Sequence, residues 1–120
     1  MAVRMKSVGI LPDNKDNQNR SIRKSYTYKQ TVSSAGNGDW IFIPNGVRMI
    51  SVILEATGSG RVEATNDFDA VDAGTTADCV TIWENGVISS TTQSAMLAPV
   101  VAVRAVSTSG EVKLAVMAAE

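Results

Sequence analysis

Hydrophobic and polar residues alternate in short runs along most of this chain. From Val47 onward, Ile50, Val52, Leu54 and Ala56 fall on one side of an extended strand, and Met49, Ser51, Ile53 and Glu55 on the other. The first set is wholly apolar and the second mixed, as expected of a strand that packs on a core by one face. Ahead of it, Trp40-Ile41-Phe42-Ile43 is a short apolar run closed by Pro44. Asn45-Gly46 tolerates positive φ, so a hairpin turn is predicted there. Behind it, Gly58-Ser59-Gly60 predicts a second turn, after which Val62 and Ala64 continue an inward face. Asp39 to Asn66 thus reads as consecutive strands joined by tight turns.

The same pattern extends to both sides. Ser25 to Ser33 alternates, with Tyr26, Tyr28 and Gln30 on one side and Thr27, Lys29 and Thr31 on the other. It reads as a strand at a sheet edge, where Lys29 discourages further pairing. Asp67 to Asp78 is the longest non-strand segment of the body. Asp78 to Trp83 resumes as a strand, with Val80 and Ile82 inward and Cys79 as a small strand residue. Glu84-Asn85-Gly86 predicts another hairpin turn, Ser89 to Ser94 a polar connection, and Gln93 to Leu97 one helical turn at most. Val100 to Ser107 and Glu111 to Met117 close the chain as two strands around a turn at Thr108-Ser109-Gly110, with Val112, Leu114 and Val116 facing inward and Lys113 outward. About eight short strands with regular turn signals predict an all-β protein, an antiparallel β-sandwich of jelly-roll-like type. Residues 1–24 lack periodicity and read as an extended basic arm; residues 25–120 form the sandwich body.

Charge sharpens that division. The arm holds Arg4, Lys6, Lys15, Arg20, Arg23 and Lys24 against Asp13 and Asp16, whereas the body carries five basic and ten acidic side chains. A basic arm on an acidic body concerns association rather than fold. It suits the acidic body of a neighbouring copy or another acidic protein. Nucleic acid is a poor match, because no aromatic residue is interleaved with the charges to stack on bases. No run approaches the ~18 apolar residues of a membrane helix. The short apolar stretch after Arg4 and Lys6 ends at Pro12 and is too weak for a signal peptide.

Catalytic equipment is sparse. The chain has no histidine and one cysteine, which removes the usual general base and thiolate metal sites. The expectation is a protein that is not an enzyme and uses no cofactor. Asp67, Asp69 and Asp78 are the calcium candidates of an acidic loop. Val71 stands where a third oxygen ligand belongs and Asp72 where the sharp turn wants glycine, so a solvated loop whose acids cap turns fits better. Glu55 and Glu63 form a conceivable carboxylate pair, but exposed charges explain them as well. Trp40 and Trp83 suit either a sugar platform or a core or subunit contact. Arg104 interrupts an apolar strand and calls for a carboxylate across the sheet or across a subunit boundary. The candidate partner contacts are therefore Arg4, Lys6, Arg20, Arg23, Lys24, Trp40, Trp83 and Arg104. Met49, Ile53, Ile88, Met96, Leu97, Val106 and Met117 fall outside the inward faces and belong either to a subunit interface or to the second sheet's core.

The hairpin at Gly58–Thr65, the acidic loop after it, W-E-N-G at Trp83–Gly86 and the closing V-A-V-R-A-V-S-T-S-G-E-V-K-L-A-V at Val101–Val116 together resemble the small β-sandwich virion proteins of tailed bacteriophages. The resemblance covers roughly residues 40–117 and is one of texture, in Thr/Ser/Gly/Val-rich strands and G-x-V turns. It implies a capsid decoration (cement) protein that binds and stabilises the assembled shell, or alternatively a tail, baseplate or fibre module with a glycan-binding face. It further implies a homotrimer, a major capsid protein or another virion protein as partner, an arm that reaches onto neighbours, and location in the virion after synthesis in the host bacterial cytoplasm. It brings no catalytic residues with it.

Overall fold

A computed structural model of the chain describes residues 2–8, 25–83, 88–89, 91–96 and 100–120, and for residues 8 and 92–96 the backbone alone. The strands are β1 (Val3–Arg4), β2 (Lys6–Val8), β3 (Ser25–Val32), β4 (Gly36–Asn37), β5 (Ile41–Phe42), β6 (Met49–Ala56), β7 (Ser59–Thr65), β8 (Val80–Ile82), β9 (Thr92–Met96), β10 (Ala102–Ser109) and β11 (Val112–Ala119). A short helix, α1 (Phe68–Ala73), lies between β7 and β8. A front sheet runs β1-β5-β10-β7-β8, with β4 also on β10, and a back sheet runs β2-β3-β11-β6-β9. Without the short β1, β2 and β4, the remaining strands numbered along the chain give 2-7-4-5 in front and 1-8-3-6 behind. That wiring is the jelly roll, and the all-β sandwich expected from the alternation is the fold.

The core forms because the inward sets are in register. Leu54, Leu114 and Gln30 lie side by side across β6, β11 and β3, followed by Val52, Val116 and Tyr28. Opposite them, Val62 pairs with Ala105 and Ala64 with Val103. Ile41, Leu114, Val103, Ala64 and Ala105 are completely buried. Each large aliphatic residue so buried is worth about 1.5–3 kcal/mol relative to exposure, and small alanines in front let the two sheets approach.

Several expectations are corrected. The turns at Asn45-Gly46, Gly58 and Gly110 join strands of different sheets, so they are arches over the sandwich and not hairpins. Gly46 and Gly110 do adopt positive φ, 85° and 72°. Turn chemistry reports the local backbone, not which sheet the next strand enters. Val80 and Ile82 face outward, because Trp83 takes the interior position and a period of two then turns Ile82 out beside Glu63. Cys79 is exposed in a bend with φ 54°. Residues 92–96 are a strand and not a helical turn. β3 is not an edge, since β2 pairs with it. The turn expected at 84–86 lies outside the described residues.

The arm expected over residues 1–24 begins inside the fold. β1 pairs in parallel with β5 in front, β2 pairs with β3 behind, and Met5 between them is buried in the main core. The chain start therefore straps the two sheets together.

Gln30 makes a second strap. Its side chain is buried on the inward face of β3. Nε2 donates to Asp39 O at 2.7 Å, and Oε1 accepts from Ala105 N–H at 2.9 Å. The amide fills the gap between β4 and β5, where β10 is paired with β7 on one side but meets no strand on the other. Gly38 leaves room for it, because a Cβ there would meet Gln30 Oε1 at 2.3 Å. Gln30→Leu is expected to lower unfolding free energy by about 2 kcal/mol, since it leaves the buried Ala105 N–H without its acceptor. The reading is a lower urea midpoint with unchanged slope. Gly38→Ala should move it the same way, and an unchanged midpoint in both variants would refute the strap.

Candidate partner-binding surfaces

Apart from the buried Gln30 amide and the Trp83 indole N–H, most polar chemistry of the described residues lies on the two outer faces of the sandwich. On the front sheet, α1 covers the end formed by Trp40, Phe42 and Ala102, with Val71 buried beneath it. Six residues are too few for a helix to hold by propensity. Capping holds this one. Asp67 Oδ1 accepts from Ala70 N–H at 3.3 Å and Oδ2 from Asp78 N–H at 2.8 Å, while Gly74 closes the far end at φ 75°. Both carboxylate oxygens of Asp67 are thus engaged by backbone. Asp69 and Asp78 are exposed, and among the described residues no group of three or more His, Cys, Asp or Glu is placed to hold a metal ion.

Beside α1 sits an ionic cluster. Arg104 Nε and Nη2 donate to Glu63 Oε1 at 3.0 and 2.8 Å, and Arg61 Nε donates to Oε2 at 2.9 Å. Glu63 and Arg104 are direct cross-strand partners, so Arg104 does find its carboxylate across the sheet. Its guanidinium also lies 4.2 Å from the centre of the Trp40 ring, which holds the fork in one plane. Two cations bracket one largely buried anion. Glu55, by contrast, projects from the back sheet, so Glu55 and Glu63 lie on opposite faces and form no carboxylate pair.

The remaining candidates separate. Trp83 is 2% exposed and packs in the main core; Trp40 is buried under α1. Arg4 is exposed and rests 5.0 Å from the Phe42 ring centre, which in turn packs on half-exposed Phe68 at 5.6 Å. With Asn45, Asn66 and Val101 these residues bound a cleft of about 400 Å³. Lys6 is exposed and paired through β2 with Thr27 of the back sheet. Arg20, Arg23 and Lys24 lie outside the described residues. Val106 is buried on the front sheet and Ile88 packs on the main core, whereas Met49, Ile53 and Met117 stand open on the back sheet. Sequence reasoning missed α1, the exposure of Phe68 and the role of Arg61. The alternation Arg61, Glu63, Thr65 was the available signal for Arg61.

This architecture defines the class as a jelly-roll β-sandwich. No family model and no curated protein matches the chain. Among solved structures the chain is similar to the SPBc2 prophage-derived protein YomS, with TM-score 0.54, 12% identity, and coverage of 84% of this chain and 97% of that one. At that identity the likeness is one of fold.

Burial alone would raise the Glu63 pKa, but hydrogen bonds and charge from Arg104 and Arg61 outweigh it and hold the carboxyl below its ordinary value. Glu63 is thus ionised in the folded protein at pH values where the unfolded chain is protonated. It stabilises the fold above the ordinary glutamate range, and that contribution is lost as pH falls through the depressed value. Acid titration of stability should show this loss, and Glu63→Gln should be destabilised at neutral pH with a shallower acid limb. Parallel acid limbs for the two proteins would contradict it.

Proposed function

We propose that this chain is a non-enzymatic structural protein of a bacteriophage virion, a capsid decoration protein that binds the assembled shell and stabilises it. The observation that carries this reading is a closed jelly roll whose described interior is filled by side chains, with its open apolar and charged groups displayed on two outer sheet faces. The fold is also that of a prophage-derived protein. A stiff body of this kind suits a repeating lattice, where many weak contacts add through avidity. The basic residues Arg20, Arg23 and Lys24 serve as contacts to acidic neighbours in the shell. A glycan-binding tail module has less support, since Trp40 and Trp83 are both buried and offer no open platform to a sugar.

The test is co-sedimentation with shells assembled from the capsid protein of the same phage. The chain should pellet with assembled shells, raise their disruption temperature, and ignore unassembled capsid subunits. Equal binding to free subunits, or none to shells, would overturn the reading. Arg20→Ser/Arg23→Ser/Lys24→Ser should weaken shell binding roughly tenfold with Tm unchanged, in line with about 0.5 kcal/mol per exposed ionic contact.

A further inference from the structure

Six large apolar side chains remain exposed among the described residues, and they fall into two sets on opposite sides of the sandwich. Met49 (51% exposed), Ile53 (38%) and Met117 (50%) lie on the back sheet. Phe68 (50%), Val80 (38%) and Ile82 (49%) lie on the front, two on β8 and one on α1. The back set is contiguous: Met117 is directly opposite Ser51, Ile53 opposite Ala115, and Met49 opposite Ala119, so small residues floor the patch between the larger ones.

The two patches carry opposite charge. The outward positions of the back sheet hold Lys6, Lys29 and Lys113 against Glu55, with Glu111 lying 3.9 Å from the Lys113 ammonium, so the face keeps a net positive charge. The front face holds Asp67, Asp69, Asp72, Asp78 and Glu63 against Arg4, Arg61 and Arg104. Because Glu63 is enclosed by its two arginines, the open carboxylates of the front concentrate on and beside α1. Front against front, or back against back, would bring like charges together. Front against back brings lysines to aspartates and three exposed apolar residues to three others.

The geometry points to a second copy of this chain as the occupant of each patch: the α1–β8 face of one molecule docks on the Met49–Ile53–Met117 face of the next. Such a contact uses two different surfaces and is heterologous, so an open assembly keeps one free front face and one free back face at its ends, and a closed ring keeps neither. The lysines steer the approach and set orientation, while the apolar residues supply the desolvated centre. This property belongs to the chain alone and stands apart from the shell-binding reading.

The experiment uses purified full-length protein and light scattering across a concentration series. Wild type should rise above monomer mass, and more salt should weaken the association because its steering charges are exposed. Asp69→Lys/Asp72→Lys on the front should abolish it, and so should Lys29→Glu/Lys113→Glu on the back, with circular dichroism melts showing both variants folded. Mixing the two variants should restore association, since each supplies the face that complements the other. Ile82→Ser and Met117→Ser should each raise the dissociation constant roughly tenfold, the scale of about 1.4 kcal/mol. A wild type that stays monomeric throughout, one charge variant that associates normally by itself, or a mixture that stays monomeric would overturn the proposal.

Discussion

One buried amide holds the interior of this sandwich in order. Where β10 runs between the end of β4 and the start of β5, its Ala105 N–H meets no strand, and the Gln30 carboxamide of the opposite sheet stands in for the missing peptide. A buried backbone donor left without a partner is costly. The sequence Gly38-Asp39-Trp40, which breaks the strand, is therefore tolerable only with Gln30 in place. The break matters further out. It places Trp40 under α1, where its ring supports the Arg104 guanidinium, and the Arg61–Glu63–Arg104 cluster and the helix cap occupy the same face. Core, helix and ionic cluster are linked through that one substitution of side chain for backbone.

A closed core leaves association to the surfaces. The wiring sends six of the seven links between the main strands from one sheet to the other; the exception, β7 to β8, carries α1. That exception makes the two faces unlike. The front gains a capped acidic helix and an exposed β8, while the back remains an open sheet with lysines around apolar residues. Two unlike faces, opposite in charge, suit ordered contact between copies better than a single sticky patch does. A decoration protein on a lattice needs the same attributes, a rigid body and surfaces that meet neighbours in fixed orientation.

Strand faces were legible because a period of two with one apolar set leaves little ambiguity, as in Ile50–Val52–Leu54 and Val112–Leu114–Val116. Connectivity was not. Asn45-Gly46 and Ser109-Gly110 supply the positive φ that a hairpin and an arch both require, so the residues alone do not separate them. The alternation of Val80 and Ile82 with Thr81 favours an inward face for both, yet the larger Trp83 claims the interior and inverts the whole strand. Helix α1 is too short to show a 3.6 period, and a single residue, Val71, anchors it. Of the candidate contacts, Arg104 found a carboxylate across the sheet, which an arginine in an apolar strand foretells. The strap role of Gln30 left only a faint trace, a polar residue on an inward face after two tyrosines.

If the interior is structural and the two outer faces meet other copies, methyl NMR spectra recorded on dilution of the purified protein will show concentration-dependent shifts for Met49, Ile53 and Met117 together with Val80 and Ile82, while the core methyls of Val62, Leu114 and Val116 stay fixed. Shifts confined to one face, or none on either face across the series, would contradict it.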